Sequence, residues 1–176
     1  MSTLISTEDS LLARDVVAHL DAQLTAARRL LQIVLGQGAA IRERDVHTVV
    51  QFTGLLQAEL QHRQLLEAER ARLLERAGAR LGVAPGAVTL TLLEGLMMPE
   101  TAQITSERSS ELRGLLEEVQ REHTVNRALM NQELAFLDHL LRLADDAPAT
   151  GYDVIGERPT AMPTLGATRR VFDLEA

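Results

Sequence analysis

Val16, Leu20, Leu24, Ala27, Leu31 and Val34 follow one another in steps of four and three residues, the spacing that lays side chains along one stripe of an α-helix. An apolar stripe of that length must be covered along all of it, so the chain is driven toward helices packed side by side. The first helix is expected from about Ser10 to Ile41, with Gly36 and Gly38 weakening its end. Asp45 in RERDVHTVV is a natural cap for a second helix, because its short carboxylate can accept from the free N–H groups of a first turn. That helix reads to about Leu81 through Val49, Leu56, Leu60, Leu66, Leu73 and Ala77, with acid–base neighbours on its wet face in AERARLLERAGAR.

Gly82, Pro85 and Gly86 then break the chain. A short helix is expected from near Thr89, on the capping-box spacing of Thr91 and Glu94, and it stops before Pro99. A third long helix covers roughly Pro99 to Ala144, with Leu112, Leu115, Val119, Leu129, Leu137, Leu140 and Leu141 on its stripe and Glu122 and Asn126 interrupting it. At about 1.5 Å per residue each long helix reaches on the order of 50 Å. The expected fold is all-α: an elongated antiparallel bundle or coiled coil of three long helices plus one short one. It spans residues 1–145, and residues 146–176, with three of the five prolines and no long periodic segment, read as a flexible partner-binding tail. Three helices leave apolar stripe uncovered, which invites a fourth from the tail, from a second copy in a homodimer, or from a partner.

Composition narrows the function. Aromatic residues make up 2% of the chain and the apolar content is mostly Leu, Ala and Val, which suits long helices rather than a globule built on aromatic rings. All 18 basic residues are arginine, yet the formal net charge is -7, a poor match to phosphate backbones or anionic lipid, so no nucleic-acid partner is expected. The chain has no cysteine, which removes disulfide and thiolate chemistry. MSTLISTEDS does not read as a signal peptide, and the most apolar window, GVAPGAVTLTLLEGLMMP, is interrupted by Pro85 and Glu94 and is not expected to enter a membrane. A cytoplasmic location is the simplest reading.

Catalytic and metal chemistry find little to work with. A di-iron carboxylate bundle needs two Glu-x-x-His motifs on different helices, and the chain has one, Glu59 to His62, while His19, His47, His123 and His139 lack the glutamate. No histidine has the surroundings expected of a phospho-acceptor, and no nucleophile elbow is present. No catalytic residue, metal or other cofactor is therefore expected. LGVAPGAVTLTLLEGL imitates a helix-turn-helix, but its second helix would offer Thr89, Leu90, Thr91, Leu92, Leu93 and Glu94 to the bases, too apolar and carrying an acid. A helix capping the open end of the long hairpin explains the same residues. Asn126 reads as a polar residue that fixes register between long helices, and Asn131 as exposed.

The tail holds Tyr152, Val154, Ile155, Met162, Leu165, Val171, Phe172 and Leu174, too many apolar residues for an inert spacer. They either fold back on the bundle or dock on another protein. Taken in order, RERD at the end of the first helix, LGV after the second, VNRALMNQELAFLDHLLRL in the third, YDVIG and the terminal RRVFDLEA resemble the FlgN-like flagellar export chaperones. The chain departs from the commoner pattern of that family in having no lysine and in its Val154–Ile155 pair. The resemblance implies a cytoplasmic helical chaperone. It would bind the C-terminal helical region of hook-associated (hook-filament junction) proteins, prevent their premature assembly and deliver them to the export gate. It further implies that Tyr152 and Gly156 dock on the cytoplasmic domain of the gate, and that Val154, Ile155, Val171, Phe172 and Leu174 belong to a client-binding tail. The rival reading is a structural coiled-coil adaptor without a client.

Overall fold

The structure, a computed structural model, describes residues 6–145. They form α1 (Thr7–Arg42), α2 (Val46–Leu81), a 3₁₀ turn at Pro85–Ala87, α3 (Leu90–Glu94) and α4 (Pro99–Asp145), so every regular element is helical, as the periodicity requires. The proposed division at 145/146 falls at the edge of the described residues.

Local chemistry sets the boundaries. α1 begins a turn earlier than its stripe suggests, because Ser6 and Asp9 form a reciprocal capping box: Asp9 N–H donates to Ser6 Oγ at 3.1 Å and Ser6 N–H to Asp9 Oδ2 at 3.3 Å. Arg80 grips the same carboxylate through two N–H groups, at 2.6 and 2.9 Å. The guanidinium, with the Ser6 hydroxyl, holds the Asp9 carboxyl down at about 2. Asp45 caps α2 by accepting from Thr48 N–H at 3.0 Å, and Gly82 ends it in the left-handed region with φ 70°. α3 starts where expected but not for the expected reason: its cap is Thr89, accepting from Leu92 N–H, rather than Thr91.

Cross-helix pairs give the directions. Arg80 with Asp9 and Arg76 with Asp15 make α1 and α2 antiparallel, whereas Arg108 with Asp21 and Arg44 with Glu133 make α1 and α4 parallel. Consecutive long helices thus run antiparallel, with α1 between the other two. It packs along both, while α2 and α4 scarcely approach each other. A helix covered on two sides must be apolar over more than one stripe and thin where backbones come close. α1 meets this with Leu24, Ala26, Ala27, Leu30, Val34 and Ala40, all buried.

Gly36 and Gly38 do not weaken the end of α1, which runs through them to Arg42. They make room instead. A Cβ at Gly36 would strike the Phe52 ring, and one at Gly38 would lie 2.5 Å from Asn126 Oδ1. At the other end Leu12, Ala13 and Val16 of α1 meet Ala77 of α2, Leu93 and Met97, and Leu73 and Val88 pack around them. The helix-turn-helix look-alike is the plug of this base.

Candidate partner-binding site

Two surfaces are left without cover by the described residues. The first follows from length: α1 and α2 have 36 residues each and α4 has 47. The tip of the α1–α2 hairpin is tied to α4 by Arg44, whose backbone takes a left-handed φ of 57° and whose guanidinium meets Glu133 at 3.4 Å. Beyond Glu133 none of the described residues flanks α4, and at about 1.5 Å per residue it projects past the hairpin for about 18 Å. This overhang is not polar. Leu134 is 65% exposed and Leu141 67%, with Phe136, Leu137, Leu140 and Leu143 also open. Leu137, Leu140 and Leu141, read from periodicity as part of the apolar stripe of this helix, form an outward ridge.

The second surface is a groove on the open side of α1, where α2 and α4 stand apart. It encloses about 370 Å³ between α1 (Val16, Leu20), α2 (Arg63, Glu67, Arg70, Leu73) and α4 (Ser109, Leu112, Leu116), and Val88, Leu90 and Leu93 close one end. Its walls are apolar with charges along the α2 rim, the make-up of a helix-accepting groove. His19 and Gln23 also line it, 3.1 Å apart through His19 Nε2, and burial pushes the imidazole below its ordinary pKa despite Glu69 and Glu67 nearby.

Of the residues assigned a docking, client-binding or register role from sequence, Asn126 lies among the described ones; Tyr152, Gly156, Val154, Ile155, Val171, Phe172 and Leu174 lie outside them. Asn126 does not interrupt a contact face. It is fully buried in the α1–α4 seam, where Nδ2 donates to the Val34 carbonyl at 2.7 Å. Asn131 is exposed, as expected. Glu59, whose spacing to His62 raised the metal question, is a buried carboxylate held by Arg29 at 3.4 Å and by His62 Nδ1 at 3.2 Å. Among the described residues no three His, Asp or Glu side chains gather as a metal site would need. No described helix is long and apolar enough to cross a membrane.

The sequence led to the expectation of apolar stripe uncovered by three helices, but it did not locate the ridge or the groove. A signal for the ridge was present, since a third helix longer than the hairpin beside it must outrun it. The groove had none, because it depends on which pair of helices fails to touch. Among protein families, the family model described as FlgN protein matches residues 12–159, from the first turns of α1 past the end of α4 and through Tyr152 and Gly156. No curated protein and no solved structure matches the chain.

Proposed function

Because the chain belongs to the FlgN family of flagellar export chaperones, we propose that it holds the C-terminal helical region of hook-associated proteins in the cytoplasm and hands them to the flagellar type III export gate. The observation that carries this reading is the α4 ridge. An amphipathic client segment needs an apolar partner while its own neighbours are missing, and six open apolar side chains beyond the hairpin tip provide one. Each is about half exposed already, so covering them is worth about 1 kcal/mol apiece, from a full value of about 1.5–3. The ridge thus contributes about 6 kcal/mol and the client's own apolar face about as much again; less about 4 kcal/mol for lost freedom on association, this supports roughly micromolar binding. That strength suits a carrier that must let go. Covering the client's helical region also keeps it from the copies with which it would otherwise assemble.

The tail is assigned the remaining contacts. Tyr152 and Gly156 would dock on the cytoplasmic domain of the gate, the tyrosine offering a broad apolar face and a hydroxyl for a wet interface. Val154, Ile155, Val171, Phe172 and Leu174 would add to client binding. Phe172 follows Tyr152 by 20 residues, enough chain to serve a different partner. Tyr152→Ala is therefore expected to weaken binding to the gate domain by about thirtyfold, or about 2 kcal/mol, and to leave client binding near normal, while Phe172→Ala does the reverse. Calorimetric titration of both variants with both partners reads this directly. Equal losses on both partners, with a lowered melting temperature, would instead place both rings on the bundle.

A further inference from the structure

The ridge and the groove match each other. Positions 109, 112 and 116 of α4 line the groove, and 134, 137 and 141 carry the ridge. Each ridge position lies 25 residues after its groove counterpart, about seven turns at 3.6 residues per turn, so both sets share one face of α4. They are also mirror-placed: 109 and 141, and 116 and 134, stand equally far from position 125. Two α4 helices laid antiparallel about that point would set each ridge over the groove of the other chain, closing two identical contacts by one two-fold axis.

Charge supports the same register. Arg29 meets Glu59 and His19 lies near Glu69 across α1 and α2, while Asp21 meets Arg108 and Arg28 meets Glu111 across α1 and α4. Interpolation between these pairs sets Glu67 level with about residue 108 of α4, and Arg63 level with about residue 110. The antiparallel arrangement brings residues 142 and 140 of the second chain to those levels. Arg142 then stands opposite Glu67, and Asp138 lies within one turn of the level of Arg63, so the charges are opposite at both places. We propose that the chain forms a two-fold dimer in which the α4 ridge of each copy occupies the α1–α2–α4 groove of the other.

The dimer needs no client and stands apart from the chaperone reading. It buries the ridge assigned above to the client, so self-association and client binding exclude each other. Sedimentation of the full chain alone, over a range of concentrations, tests it. A monomer–dimer equilibrium is expected, abolished by Leu134→Glu/Leu141→Glu, both exposed positions at which the helical circular dichroism should persist. Asp138→Arg and Arg63→Asp should each weaken association about tenfold, and mixing the two variants should regain it, since every ridge–groove contact in the mixed dimer is again complementary. A chain that stays monomeric at all concentrations, a dimer indifferent to the ridge substitutions, or weakened variants that do not rescue each other would each overturn the proposal.

Discussion

Asn126 carries one satisfied group and one that is not. Nδ2 donates to Val34, whereas Oδ1 has no hydrogen-bond partner and lies against Gly38. We propose that the two residues act as a unit that pins α4 to one register on α1, since a shift by a residue would bring Oδ1 onto a side chain. Alanine is the better helix former by about 1 kcal/mol, but the 2.5 Å approach at Gly38 decides the balance the other way. Gly38→Ala is expected to destabilise by about 1–3 kcal/mol through overpacking. Asn126→Ala clears the space, so in equilibrium urea unfolding the double variant should lose less than the two single losses together. Strict additivity would mean that the positions do not touch. From sequence, Asn126 read as a register residue with no partner named and Gly38 as a weak helix end, because local propensity carries no record of what a second helix brings alongside. Both are contact residues.

At the scale of the elements, the punctuation was legible. Asp45, Gly82 and Pro99 announce their helix ends by local backbone chemistry, and α2 and α4 begin within a residue of where those signals place them. Periodicity identifies a stripe but not its partner, which is why Leu137, Leu140 and Leu141 could not be told apart from the packed positions of the same stripe. The overhang separates two kinds of leucine on similar stripes. Leu24 is 3% exposed between helices, so Leu24→Ala should cost about 2–5 kcal/mol by transfer and cavity together. Leu141 lies beyond the hairpin tip, and in dilute protein Leu141→Glu should change stability by no more than about 0.5 kcal/mol. Thermal unfolding of the two variants checks the contrast; a comparable loss at Leu141 would mean that α4 is covered along its whole length.

The described residues form a rod in which one helix holds two others that barely meet, and the exposed apolar surface follows from that topology rather than from any single residue. Fold class could be read from spacing because helices are local, and the flagellar reading from residues in order along the chain; the open groove and the projecting ridge required the packing. In the proposed function the ridge carries the client. Calorimetric titration of the full chain with a peptide covering the C-terminal helical region of a hook-associated protein tests it most directly. Saturable binding of roughly micromolar strength is expected, weakened at least tenfold, about 1.4 kcal/mol, by Leu137→Glu/Leu141→Glu. Full-strength binding by that variant, or no binding of any hook-associated helical segment to the unaltered chain, would contradict it.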